Sequence, residues 1–512
     1  MYASQPSMAQ DDMLPKKSAT ESRHCFLGHE SAKSLGLEHL SAQDYQLVLR
    51  VAEQLFLCPT KPSREIATEL GLERNQLLRL YQIIKNNHKI QELFTHESPQ
   101  RRRVSFLRRE LLPANLPFLE PMFRGEICLP NHVEFHLALM CNLRCRACPN
   151  CQTDSNGEWN FLGYPNLGQP LTAERLHLIQ DMFLEMGVTS FSFGGGGEPS
   201  LSPLLTPGIS YLREQNPKAE ISLYTNGIFP TSWTDAEFTA LVTHLNKVRF
   251  SIDAADAQSW SRYKGRPPEF FDALWKNIER LVETRKQVGG RTRIGASCLV
   301  STLSYRNLET FLQRAQEAGL DFCDIKEVET CFGEKSEVKV DTPDFREFLD
   351  DLISRVRKGF FAPLDVVIDD RLVLSDAQGR QCETENDAPP RCWVSIRGRM
   401  LTVGPYGELH PCSDAANPGS QVRKTLSNSI GQLTAFDNPD TLHSQFLSLW
   451  SASLPWRTSL SRTNCAYCVP SHMNFNLAVQ KLFEDWEFGI MPENQPFAGE
   501  RDHYLASRGS QR

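Results

Sequence analysis

The chain has 512 residues, of which 40% are hydrophobic and 23% charged, with a formal net charge of -7. These values exclude a disordered chain and a uniformly basic nucleic-acid binder, and no apolar run reaches the roughly 18 residues needed to span a bilayer. The length exceeds what one hydrophobic core serves, so two or three packed units are expected.

Residues 1–38 are polar and weakly periodic, which predicts a disordered tail. Lacking an apolar stretch with a small-residue cleavage site, this N-terminus predicts a cytoplasmic chain. The fifteen cysteines would then be reduced, and their odd number also argues for ligands or nucleophiles over a disulfide framework. From 39 to 125 the apolar residues recur at helical spacing and predict an α-helical N-terminal domain. Within it, PSREIATELGLERNQLLRLYQII outlines a helix-turn-helix about Gly71. Only Arg74 and Arg79 on its second helix could serve a DNA groove, so the reading is a packing module. The basic run of Arg101, Arg102, Arg103, Arg108 and Arg109 reads as a solvated helix or linker.

Between 131 and 330, short β-rich runs alternate with amphipathic helices. The runs are VEFHLAL, SFSF, EISLYT, KVRFSID, RIGASCLVS and DFCDIKEV. The fold class is therefore α/β, and six βα units fit a partial (β/α)6 barrel whose chemistry gathers at the C-terminal strand ends. Residues 341–390 read as a partly helical linker. Residues 391–470 read as a small Cys-rich domain with strand-like runs VSIRGRMLTV and GELHPC, and 471–512 as a docking helix and tail.

Immediately after the first strand, HLALMCNLRCRACPNC places Cys141, Cys145 and Cys148 in a C-x3-C-x2-C loop. Three thiolates can wrap one face of a four-iron cubane and leave one iron open. This arrangement resembles the radical S-adenosylmethionine (radical SAM) superfamily. Later strand ends carry further matches: Gly195, Gly196, Gly197 and Glu198 resemble its GGEP motif. Thr225 and Asn226 follow the third strand, and Ser251 and Asp253 the fourth. The resemblance implies a 4Fe-4S cluster on Cys141, Cys145 and Cys148. It implies S-adenosyl-L-methionine held by Gly195, Gly196, Gly197, Glu198, Asn226, Ser251 and Asp253. It also implies reductive cleavage to a 5'-deoxyadenosyl radical, and an electron donor that is a reductase or a flavodoxin- or ferredoxin-type protein. One departure is Ala147, where the family often has an aromatic residue. Cys151 reads as a buried bystander and His136 as a core residue.

Further on, Cys392, Gly407 and Cys412 follow a C-x14-G-x4-C spacing, with Cys465 and Cys468 as a C-x2-C pair. This resembles the twitch or shortened SPASM domain and implies a second, auxiliary 4Fe-4S cluster; a zinc knuckle would use the same four thiolates. Cys25, Cys58, Cys128, Cys298, Cys323, Cys331 and Cys382 have no partner at ligand spacing. The helical N-terminal part loosely resembles that of dTDP-amino-sugar deaminases of the superfamily, which implies a small-molecule substrate of the sugar-nucleotide kind. Two alternatives stand beside it: a peptide- or protein-modifying maturase whose N-terminal domain grips a leader peptide, and a non-catalytic, zinc-bearing helix-turn-helix regulator. No feature favours a nucleic-acid or membrane partner, and the catalytic acid, base or hydrogen donor stays unassigned.

Overall fold

The computed structural model describes residues 29–57, 61–90, 112–146, 148, 150–153, 158–327, 340, 343–368, 391–418, 429–460 and 470–494. The readings on residues 1–28, on the arginines at 101–109, and on Cys25, Cys58, Ala147, Cys331, Cys382, Cys465 and Cys468 lie outside the described residues.

All six expected barrel strands form. They are β1 (His132–Phe135), β4 (Ser190–Phe193), β5 (Glu220–Thr225), β6 (Lys247–Ser251), β7 (Arg293–Val300) and β8 (Phe322–Glu327), separated in sequence from β1 by a small hairpin of β2 (Cys151–Thr153) and β3 (Trp159–Phe161). They pair in parallel in the order β1-β4-β5-β6-β7-β8. The helices between them include Ala173–Glu185, Leu205–Gln215, Asp235–His244, Glu269–Val288 and Leu308–Glu317. Helix Asp235–His244 starts on a capping box, with Thr234 and Glu237 satisfying each other's backbone N–H groups. Helix Glu269–Val288 ends at Gly289, in the left-handed conformation at φ 65° that a side chain would resist.

The sheet does not stop at six strands. A seventh parallel strand, β9 (Asp365–Ile368), follows helix Pro343–Arg357 and pairs with β8, inside the segment expected to be a linker. On the other edge, β10 (Leu401–Val403) pairs in parallel with β1, and β11 (Glu408–His410) and β12 (Gly431–Gln432) continue antiparallel from it. The expected run VSIRGRMLTV is therefore split. Trp393–Arg397 is helical, Gly398 at φ 63° ends the helix, and only Leu401–Val403 is strand. A Cβ on Gly398 would lie 3.0 Å from the Trp450 ring, so packing and backbone both require glycine there.

Strand residues alternate strictly. Val133, Phe135, Phe191, Phe193, Ile221, Leu223, Val248, Phe250, Ile294 and Ala296 bury one face in the core against the helices. The opposite, lumen face carries Glu134, His136, Ser192, Tyr224, Arg249 and Asp324. Parallel sheets covered on both sides ordinarily read as continuous apolar runs, so a polar lumen is a functional feature of this barrel.

A second core forms where the N-terminal helices meet C-terminal segments. Val48, Leu55, Phe56, Ile66, Leu77, Tyr81 and Ile84 pack with Trp393, Val394, Phe475, Val479 and Phe483. Helix Pro470–Glu487 thus packs on the N-terminal helices. Its Asp485 receives the Ser63 backbone N–H at 2.6 Å and pairs with Lys481, while Ser63 shares a hydrogen bond with Tyr81 at 2.6 Å. Helices Ser63–Leu70 and Arg74–Lys85 flank Gly71 at φ 63°, and the second buries Leu77, Leu80, Tyr81 and Ile84.

Candidate active site

The loop leaving β1 carries Cys141, Cys145 and Cys148, all half-buried. Backbone bonds anchor it to the end of helix Ala257–Lys264, with the Arg144 and Arg146 N–H groups donating to the Lys264 and Tyr263 carbonyls at 2.9 Å. The Arg266 guanidinium donates to the Asn142 carbonyl. Gly265, at φ 64°, lets the loop approach: a Cβ there would stand 2.7 Å from the Arg144 carbonyl.

Two donors already face the Cys141 sulfur, the Leu143 backbone N–H at 3.4 Å and Asn226 Nδ2 at 3.8 Å. Such N–H···S bonds stabilise a thiolate ligand and tune a cluster. Burial and the neighbouring Cys145 and Glu198 push the Cys141 thiol well up. Among the described residues no three His, Cys, Asp or Glu converge on a point fit for a single metal ion. Cys151 is buried, and a hydrogen bond to Cys148 heads the causes that raise its own thiol.

Next to this loop lies the glycine run after β4. Each glycine is demanded by a neighbour: a Cβ at Gly195 would fall 1.8 Å from the His136 ring, at Gly196 2.0 Å from Tyr164 Oη, and at Gly197 2.4 Å from the Met140 carbonyl. Gly195 is also at φ 92°. Glu198 is buried, and its carboxylate accepts from Thr225 Oγ1 at 2.6 Å, from the Asn226 N–H at 2.7 Å and from the Ser200 N–H at 3.0 Å. Burial raises the Glu198 carboxyl, and these bonds oppose the rise. Glu198 therefore joins the ends of β4 and β5, and Asn226, held by Asn142 at 2.7 Å, joins both to the cysteine loop.

At the end of β6, Ser251 is half-buried and pairs in register with Ser297. Asp253 adopts φ 64°, an uncommon conformation for a non-glycine residue. Its carboxylate accepts the Leu299 N–H at 2.8 Å and pairs with the buried Lys264 ammonium. Burial alone would lower Lys264, but Asp253 and Cys145 outweigh it and raise the group. Cys141, Gly195, Gly196, Gly197, Glu198 and Asn226 are thus linked directly, with Cys145 and Cys148 in the same loop and Asp253 tied to it through Lys264.

Sequence reasoning passed over several participants. His136 is buried as expected, but it is polar in role: Nδ1 lies 2.9 Å from Tyr164 Oη and 3.3 Å from the Gly196 N–H, and Nε2 lies 3.2 Å from Glu134. A backbone N–H can only donate, so Nδ1 is the acceptor nitrogen and Nε2–H faces Glu134. Asn150 donates to the Gly196 carbonyl at 2.8 Å and to Asn417 at 3.1 Å. The alternation of His132, Glu134 and His136 along β1 was the available signal; Tyr164 and Asn150 sit in irregular segments and gave none.

In the C-terminal segment, Cys392 and Cys412 both pack against Ala415, Leu460 and Trp456. Cys392 precedes helix Trp393–Arg397 and Cys412 precedes helix Ser413–Ala416. Burial raises the Cys392 thiol, while the Ser395 and Val394 N–H groups and Asn476 oppose the rise. Cys128, Cys298 and Cys323 are buried.

Residues 137–297 match the family model described as the radical SAM superfamily. The chain is an enzyme that carries a radical SAM domain, and that superfamily works with a 4Fe-4S cluster and S-adenosylmethionine. Among solved structures, SuiB of Streptococcus suis bound to S-adenosylmethionine is similar at 15% identity and TM-score 0.45, covering 69% of this chain and 74% of SuiB. Native anSMEcpe with bound AdoMet shares 18% identity at TM-score 0.42, covering 70% and 97%. HydG, a maturase of the [FeFe]-hydrogenase, shares 11% at TM-score 0.31, covering 69% and 71%. No described helix is long and apolar enough to cross a membrane.

Proposed function

We propose that Cys141, Cys145 and Cys148 hold the cluster, and that the enzyme abstracts hydrogen from a small biosynthetic intermediate of the sugar-nucleotide kind. The observation that carries the reading is the bonded junction of Cys141, Asn226 and Glu198, which joins the cysteine loop to two strand ends. When bound, the cluster and S-adenosylmethionine supply reductive cleavage of the sulfonium and a primary carbon radical. The chain's own residues orient and shield. The backbone at Gly195, Gly196 and Gly197 offers a surface free of side chains, Glu198 fixes that surface to β5, and the Asp253–Lys264 pair fixes the far wall. Cys392, Cys412, Cys465 and Cys468 would hold the auxiliary cluster, since the first two share one apolar pocket with Leu460, five residues before Cys465.

Anaerobically reconstituted protein, dithionite and S-adenosylmethionine test this reading, with 5'-deoxyadenosine counted against dTDP-amino sugars and against leader-type peptides. The expected result is stimulation by an amino-sugar nucleotide, with deuterium passing from its ring into 5'-deoxyadenosine. Stimulation by peptide alone would move the assignment to a maturase. Colourless protein with bound zinc and no cleavage would leave the regulator.

A further inference from the structure

Lys247 and Arg249 stand two residues apart on the lumen face of β6. Neither side chain hydrogen-bonds to a described residue. Arg249 Nη1 lies 3.5 Å from Asp324 Oδ2, its guanidinium lies 4.3 Å from the Tyr224 ring centre, and its Nε is shut from solvent without an acceptor. The Lys247 ammonium sits 4.2 Å from the Phe322 ring centre, and burial lowers its pKa.

Two fully buried cations show the contrast. Arg457 donates to the Ser395 carbonyl at 2.6 Å, the Trp450 carbonyl at 3.0 Å and Ser453 Oγ at 2.9 Å, and Lys264 has Asp253. A guanidinium carries five donors, and the one on Arg249 Nε, shut from solvent and unmet, is costly unless something arrives to accept it.

Glu134 is engaged by His136 at 3.2 Å, and Arg293 pairs with Asp365 at 3.2 Å. Asp324 faces both Arg249 and Lys247, and Asp365 also acts on Lys247. The β7 neighbour of Arg249 is Gly295, and the Phe322 ring packs over that glycine, 2.4 Å from where a Cβ would stand. Arg249 stands two residues below Ser251, about 6.6 Å deeper than the strand ends where the proposed chemistry occurs.

We propose that Arg249, backed by Lys247, is the subsite for an anionic oxygen group of the substrate, a phosphate or a carboxylate. The guanidinium fork donates to two oxygens of either group side by side, and Tyr224 holds its plane. This assignment rests on the barrel mouth being the reaction site and gives that site its substrate class.

Calorimetric titration of the anaerobically reconstituted full chain with inorganic phosphate, acetate and neutral glycerol tests it. The expected result is saturable binding of an anion, none of glycerol, and a loss on the order of tenfold or more in Arg249→Gln. Arg249→Lys, which keeps the charge without the fork, should fall between, and it carries the comparison if the glutamine variant does not fold. Tighter phosphate than acetate marks a phosphate ester, and the reverse order a carboxylate. Equal binding by wild type and both Arg249 variants, or no anion binding by wild type, overturns the proposal. Cluster absorption and 5'-deoxyadenosine yield are read on the same samples. Their absence with Arg249-dependent binding intact would sink the radical reading and leave the subsite standing.

Discussion

At Gly196 the backbone angles are ordinary, and what forbids a side chain is Tyr164 Oη, 2.0 Å from where a Cβ would stand. Gly196→Ala should therefore displace Tyr164 or the glycine loop and weaken S-adenosylmethionine binding by roughly tenfold or more, as a distorted polar cradle does. Equilibrium dialysis on the reconstituted protein measures this, and adding Tyr164→Ala should restore much of the loss. Unchanged affinity in Gly196→Ala would show that the cradle lies elsewhere. The glycine run and Glu198 were legible as a motif, because short-range spacing records a close backbone approach. Their supports were not. Glu134, His136 and Tyr164 meet only after β1 and β4 pair and the β2–β3 hairpin folds across, and no local pattern encodes that meeting.

The ends of β6, β7 and helix Ala257–Lys264 meet at Asp253. This buried pair is the joint most exposed to single changes, since removing one partner strands the other charge in a dry site. Asp253→Asn or Lys264→Met should each lower stability by about 3–5 kcal/mol, and the double variant should recover a substantial part. Urea unfolding measures the cycle; additive losses would show the two groups acting independently. The six barrel strands were readable because apolar residues alternate on their outer face. Strands β9 to β12 were readable only in part. Asp365–Ile368 is four residues long beside a polar stretch, and Trp393–Arg397 is apolar for the second core although its residues favour strand as readily as helix. Tertiary burial decided both.

For the molecule as a whole, two cores hold one arrangement. The barrel core supports the strand ends, and the second core clamps the N-terminal helices to Trp393 and helix Pro470–Glu487. The 391–410 region was expected as a separate Cys-rich unit, yet β10 lies directly against β1, the strand that launches the cysteine loop. Length led to an expectation of two or three packed units; the sharing of one sheet depends on contacts about 268 residues apart in sequence, as between Val133 and Leu401, which length and composition do not carry. The proposed function places on the cysteine loop a cluster with one iron open to S-adenosylmethionine. Low-temperature electron paramagnetic resonance of the dithionite-reduced, reconstituted protein tests that most directly. The expected result is a reduced-cubane signal whose g-values change when S-adenosylmethionine is added, both the signal's response and S-adenosylmethionine cleavage being lost in Cys145→Ala. A spectrum indifferent to S-adenosylmethionine, or one unchanged in Cys145→Ala, would contradict the account.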